Sequence, residues 1–278
     1  MDVLVAGGDR RAAHLVRLLR RGGLDARAVG LECCSLPGVP SASLAQAADA
    51  DWIALNSPLK CELARRPFTI EELLAPLRPG ARLIFCGPGV PPEGLERFAV
   101  QDLTRSETFL RRNAELTAEG AVFAAMRALE RALADCACLV VGWGRIGRAL
   151  TERLVALGAR VTVASRSQRG MCLAYARGAE AVETAAIERA LPGKQVVFST
   201  PPFPVLDAHA LAAADADACV IDLASAPYGV DIEAALRLGL RAWREPGVPG
   251  RYCPESAAMV LADAVGRICG RGNTHEGA

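Results

Sequence analysis

"VVGWGRIGRALTERLVALGARVTVASRS", residues 140–167, decides how this chain folds. The apolar run that ends at Val141 reads as a buried strand. Gly142, Gly144 and Gly147 then make a GxGxxG, a helix opens at Ile146, and "RVTVAS" supplies the next strand about twenty residues on. The three glycines serve different ends. Gly142 permits the tight turn, Gly144 lets the backbone approach a pyrophosphate, and Gly147 lets the helix pack closely on the strand. The helix start offers its N–H groups to phosphate oxygens. Gly142, Trp143, Gly144, Arg145, Ile146 and Gly147 are therefore expected to hold a dinucleotide. After the second strand, where an acid usually meets the ribose 2′-hydroxyl, stand Ser165-Arg166-Ser167. A guanidinium between two hydroxyls suits a 2′-phosphate through charge-assisted hydrogen bonds. NADP is the expected cofactor, with NAD possible; the alternative is a solvated Arg166 at a site that accepts either nucleotide.

Strand and helix patterns alternate on both sides of this stretch. Downstream, strand "QVVFST" leads into the loop "PPFPVL", where Thr200 and Pro201 are expected to contact the cofactor. Helix "DAHALAAA", strand "ACVIDLAS", helix "DIEAALRLG" and strand "LRAW" follow. Upstream, "DVLVAGG", "ARAVGLE", "ADWIALNSP", "ARLIFCGPG" and "ERFAVQDL" read as strands, with helices at "RRAAHLVRLLRR" and "IEELLAPL". Apolar runs separated by helical spacing describe βα units of a parallel sheet. The expected fold class is α/β, with two Rossmann-like open parallel-sheet domains and a cleft between them. A substrate-side domain is expected over 1–116 and the nucleotide-binding domain over 117–254. A last helix over about 255–270 packs back on the first domain, and 271–278 form a flexible tail. Residues 117–133 read as a bridging helix capped by Thr117, with Val122, Met126, Leu129 and Leu133 on one face.

Of the 278 residues, 51% are hydrophobic, enough to build two cores. The net charge of +1, with no basic block, argues against nucleic acid as a partner. No apolar run reaches the roughly 20 residues of a membrane helix, and the N-terminus lacks a signal-peptide pattern, so a cytoplasmic location is expected. Most of the ten cysteines lie in apolar runs without paired ligand spacing. They read as small core residues, and no metal site is expected. "GGDRR" at residues 7–11 lacks the third glycine of a dinucleotide turn, although Arg10 or Arg11 there suits a small anion.

Oxidising an alcohol needs a histidine, usually paired with an acid. His14, His209 and His275 fall in the first helix, a peripheral helix and the tail, so that machinery is missing. Polar residues do gather where the carboxyl-end loops of the strands are expected. Asn113, Thr117 and Glu119 flank the bridging helix, Asp222 and Ser225 follow a strand, and "PGVPGRYCPES" follows the last one. Asn113, Thr117 and Glu119 serve equally well as helix capping. Arg251 and Arg105 are candidate carboxylate clamps.

Together "GGDRR", "NAELTAEG", "VVGWGRIG", "VTVASRS", "IDLASAPYGVD" and "PGVPGRYCPESAA" resemble the A-subunit family of the dipicolinate synthases over nearly the whole chain. Residues 54–66 and 85–94 depart from that pattern. The resemblance implies NAD(P)-dependent oxidation of a dihydrodipicolinate-type intermediate of the lysine pathway to the aromatic diacid. It further implies a partner, the flavoprotein-like B subunit, and the mother-cell cytoplasm of a sporulating bacterium. Aromatisation drives such an oxidation, which fits the poverty in histidine. On this reading Glu119 or Asp222 accepts the proton with Thr117 beside it, while Asn113, Ser225 and Arg251 hold the dicarboxylate; a homo-oligomer is expected. Two other readings stay open: a different NADP-dependent two-domain dehydrogenase, and a nucleotide-binding regulatory subunit without turnover.

Overall fold

The computed structural model describes residues 1–56, 59–87 and 93–270. The chain divides into two compact units, Met1–Asn113 with Pro249–Ala278, and Ala114–Val248. The expected flexible tail, 271–278 with His275, lies outside the described residues.

In the first unit β1 (Val3–Ala6), β2 (Ala26–Val29), β3 (Trp52–Leu55), β4 (Arg82–Phe85) and β5 (Ala99–Asp102) form a parallel sheet in the order β2-β1-β3-β4-β5. All four residues of β1 are fully buried, which is why this central strand reads as an unbroken apolar run. Helix α1 (Arg10–Arg21) opens on Asp9, whose carboxylate accepts the Arg11 N–H at 2.9 Å. It lays Ala12, Ala13, Leu15, Val16 and Leu19 inward. The shorter α2 (Ile70–Leu74) starts at a Thr69–Glu72 capping box.

Helix α3 (Glu107–Leu129) begins ten residues before the expected bridging helix and stops four residues before its expected end. Ser106 caps it, accepting the Phe109 N–H at 3.3 Å, and Glu130 at φ 54° ends it. Thr117 is therefore an interior residue of the helix and not its cap. The expected apolar face is also corrected, because Met126 is 46% exposed while Ala118, Ala121, Ala124 and Ala125 are buried. Small side chains, rather than large ones, make the packed stripe.

The second unit holds β6 (Ala137–Val141), α4 (Arg145–Ala156), β7 (Arg160–Ser165), α5 (Gln168–Tyr175), β8 (Glu180–Glu183) and β9 (Val196–Ser199). It continues through α6 (Ala208–Leu211), β10 (Cys219–Asp222), α7 (Ile232–Arg237) and β11 (Arg241–Arg244). Its parallel sheet runs β11-β10-β9-β6-β7-β8. Counted within the unit this is the 3-2-1-4-5-6 order of dinucleotide-binding sheets, with the reversal between β6 and β9. Sequence reading passed over β8, an edge strand whose outer residues are two exposed glutamates and which has no apolar run to mark it. A short α8 (Val248–Tyr252) occupies part of the expected "PGVPGRYCPES" loop. The last helix, α9 (Pro254–Ile268), starts with proline in its first turn and packs on α1. Asp263 on α9 pairs with Arg112 at 2.7 Å.

Cys86, Cys136, Cys138 and Cys219 are buried, and burial pushes the thiols of Cys86 and Cys138 up to about 12. The other six are exposed or half-buried, so the expectation that most are core residues is corrected. Those six lie largely in turns and at helix surfaces, where apolar neighbours in sequence do not imply burial. No helix among the described residues is long and apolar enough to cross a membrane.

Candidate functional site

The second sheet reverses at Val141 and Ser199, which stand side by side at the carboxyl ends of β6 and β9. Gly142 leaves β6 at φ 97°, a backbone region hostile to L side chains, and a Cβ there would sit 2.6 Å from Thr200 Oγ1. Thr200 fixes the junction, since its N–H and its hydroxyl both donate to the Val141 carbonyl, at 3.1 and 2.8 Å. Gly147 lies so close to the turn that a Cβ would collide with the Gly142 carbonyl. Thr151, one turn along α4, donates its hydroxyl to the Gly147 carbonyl at 2.8 Å. Gly144 is the N-cap of α4, brings no side-chain cap, and has nothing within 4 Å of where a Cβ would stand. The space beside the Gly144 cap is thus open.

Around this turn lies a cavity of about 600 Å³, lined by Gly142, Trp143 and Gly144, by Ser165, Arg166 and Ser167, and by Thr200 and Pro201. Those eight were read from the sequence; Thr184, Pro202, Phe203 and Val205 complete the lining and were not. Thr184 follows the overlooked β8. Phe203 sits in the proline-rich loop after β9. Arg145, Ile146 and Gly147 shape the turn and helix start without lining the cavity.

The two serines beside Arg166 are partly spoken for. Ser167 caps α5, accepting the Gly170 N–H at 3.0 Å, while the buried Ser165 hydroxyl accepts the Ser167 N–H at 3.3 Å. Gly170 has to be glycine because a Cβ would stand 2.9 Å from Ser167 Oγ, 3.2 Å from Trp143 Cδ1 and closer still to Ser165 Oγ. Arg166 extends past them, and its guanidinium carbon lies 4.6 Å from the centre of the Phe203 ring.

These contacts fit a dinucleotide. A helix start without a side-chain cap, a glycine open to space and a cationic group at the end of the second strand follow the order diphosphate, ribose, 2′-substituent. Trp143 Nε1 is buried without a hydrogen-bond partner. Such a group in a cavity wall is a donor that a ligand can satisfy.

The expected catalytic groups are not brought to this cavity. Glu119 is exposed and its carboxylate pairs with Arg153 at 3.0 Å. Arg153 lies eight residues beyond the first residue of α4, on the order of 12 Å along the helix from the end that faces the cavity. The Glu119 carboxylate is engaged there in an exposed ion pair. The Asp222 side chain is buried and accepts the N–H groups of Ala224, Gly229 and Val230 at 3.1, 3.0 and 3.2 Å. Burial pushes its carboxyl above the ordinary range, against the pull of those three donors and Arg244. It organises the loop that follows β10. Gly229 in that loop runs hard against Ser199 and the Pro201 carbonyl, so Asp222 holds the wall of the cavity rather than its contents.

Ser225 is exposed in the same loop, where its carbonyl accepts the Tyr228 N–H at 2.9 Å. The buried Thr117 and the half-buried Asn113 lie within α3, and the exposed Arg251 within α8 stacks toward Tyr252 at 5.5 Å. Arg105 is tied to Asp102 at 3.6 Å. His209 is 83% exposed beside Glu188, in keeping with a surface role. Arg11 is held by Asp9 at 2.9 Å, which removes it as an anion site.

Comparisons with known proteins follow this geometry. Residues 138–226 match the family model "NADP oxidoreductase coenzyme F420-dependent". The whole chain is 24% identical to the A subunit of dipicolinate synthase from Bacillus subtilis, covering 98% of that protein. The crystal structure of the dipicolinate synthase A subunit from Bacillus halodurans superposes with a TM-score of 0.84 at 24% identity, covering 96% of this chain and 97% of that one. A transhydrogenase from Sinorhizobium meliloti follows with a TM-score of 0.71 at 17% identity, over 96% and 92%. The resemblance to the A subunits is thus borne out in sequence and fold, and several further structural neighbours are dehydrogenases by name.

Proposed function

We propose that the chain is an NADP-preferring oxidoreductase, the A subunit of a dipicolinate synthase that works together with a second, flavoprotein-like subunit. The observation that carries this reading is the cavity at the β6–β9 reversal, whose turn, open helix start and Arg166 suit a nicotinamide dinucleotide phosphate. Full-length similarity to the A subunit of dipicolinate synthase supports the choice of substrate. A nicotinamide held by the Gly142–Gly147 turn and Arg166 would supply the hydride acceptor for a dihydropyridine dicarboxylate, whose ring would become aromatic on losing a hydride and a proton. The protein's part is then mostly positioning, because aromatisation supplies the driving force that an alcohol oxidation would need a strong base to supply. Arg251 is proposed to contact a carboxylate of the substrate, to which its guanidinium is suited by bidentate pairing. Glu119 and Asp222 keep their carboxylates for structure.

The test mixes the purified chain, with and without the second subunit, with freshly generated dihydrodipicolinate precursor and NADP⁺. Reduced nucleotide and dipicolinate are expected to rise together. Nucleotide binding without either product overturns the reading and favours another substrate or a regulatory subunit.

A further inference from the structure

Arg166 and Phe203 enter the same cavity from different strands, one just beyond β7 and the other from the loop after β9. Their contact is a cation over a ring face, 4.6 Å from guanidinium carbon to ring centre. A guanidinium stacked this way spends its face and keeps its N–H donors, which lie in its plane, for another partner. Among the described residues no carboxylate pairs with Arg166.

The ring is well placed to hold a side chain that would otherwise move in solvent. Pro201, Pro202 and Pro204 surround Phe203 and restrict the loop's backbone. The loop is tied at both ends: Thr200 donates to Val141, and the Val205 and Leu206 N–H groups both donate to the Gly229 carbonyl at 3.0 Å. Behind that carbonyl stands the turn that Asp222 organises through the Gly229 N–H at 3.0 Å. Phe203 is half-buried and Arg166 is exposed, so the rigid partner is the ring and the cation is the one that gets ordered.

We propose that Phe203 is a positioning residue for nucleotide choice: its ring holds the Arg166 guanidinium flat at the cavity wall, with its donor edge presented to a ribose 2′-phosphate. The inference rests on the nucleotide reading above and names a residue outside the glycine turn and the second strand as part of the specificity device. It separates the loop's role from stacking on the adenine, which would help every adenine nucleotide equally.

The probes are adenosine 2′,5′-bisphosphate and adenosine 5′-monophosphate, titrated calorimetrically into the intact chain and into Phe203→Leu, Phe203→Trp and Arg166→Ala. Thermal unfolding of each variant checks that it folds. The wild-type chain is expected to prefer the bisphosphate, and Arg166→Ala to abolish the preference. Phe203→Leu is expected to weaken the bisphosphate by about threefold, the scale of a partly exposed cation–π contact, and leave the monophosphate unchanged. Phe203→Trp is expected to restore the wild-type ratio. Equal weakening of both probes by Phe203→Leu, or none, overturns the role of Phe203 while Arg166 stands. A wild-type chain that treats the probes alike, with Arg166→Ala no different, overturns the 2′-phosphate reading itself.

Discussion

In each unit the first strand is buried and runs through a glycine-containing turn into a helix, yet the two turns do opposite things. After β6 the cap of α4 is Gly144, which brings no side chain and has open space where a Cβ would be. After β1 the cap of α1 is Asp9, whose carboxylate takes the Arg11 N–H and pairs with the Arg11 guanidinium at 2.9 Å. Gly250 then closes on this pair, since a Cβ there would lie 2.6 Å from Asp9 Oδ2 and 2.7 Å from Arg11 Nε. One helix start carries no side-chain cap and the other is neutralised from within the chain. A strand–glycine–helix pattern alone therefore does not make a phosphate site; the residue at the cap decides.

The contrast is broken most severely at the close contacts. Gly147→Ala drives a methyl group into the Gly142 carbonyl, so it is expected to cost several kcal/mol, on the order of 2–4, and to abolish nucleotide binding. A cooperative unfolding transition unchanged from wild type would sink the packing argument. Gly144→Ala has room for its methyl group and is expected to leave thermal stability nearly unchanged. It is nevertheless expected to weaken nucleotide binding by about tenfold or more, because the methyl group occupies the approach to the open helix start. In the first unit the prediction reverses: Gly8→Ala is strained by φ 112° and by Ala12 Cβ at 2.8 Å, so it should lower stability and spare nucleotide affinity.

A smaller effect is expected at the caps and loops. Asp9→Ala removes a side-chain N-cap and an ion-pair partner, for a loss of about 1 kcal/mol by denaturant titration at neutral pH. Titration with pH sharpens the difference between the units. Burial pushes the Asp9 carboxyl up, but the hydrogen bond and charge of Arg11 outweigh it and leave it below its ordinary value. Its contribution is present above the unfolded carboxylate pKa and is lost as pH falls through the folded one. Asp222 is raised by burial, so its contribution is complete below the unfolded value and is lost as pH rises through the folded one. Below about pH 4, then, the stability advantage of wild type over Asp9→Asn should grow with pH, and above about pH 4 that over Asp222→Asn should shrink as pH rises. Parallel slopes for the two variants in chemical denaturation would contradict the assignment.

Sequence carried the parallel sheets, the nucleotide turn and Ser165-Arg166-Ser167, because each of these is a local pattern: an apolar run, glycines at fixed spacing, a short segment after a strand. It failed where a partner from elsewhere in the chain decides the role. Glu119 and Arg153 are 34 residues apart, and nothing in either segment announces their pairing. Asp222 ends a strand, as a catalytic acid would, but its carboxylate is consumed by N–H groups up to eight residues ahead. The start of α3 was hidden by a polar first turn, although Ser106 was available as a cap. Phe203 could have been suspected from an aromatic residue among three prolines in a carboxyl-end loop.

The most direct measurement is calorimetric titration of the chain with NADPH and with NADH, repeated on Arg166→Ala. Tighter binding of NADPH, by about tenfold or more from charge-assisted hydrogen bonds to the 2′-phosphate, with the preference lost in Arg166→Ala, is the predicted result. Equal affinities, or an NADPH preference that survives the loss of Arg166, would contradict the account.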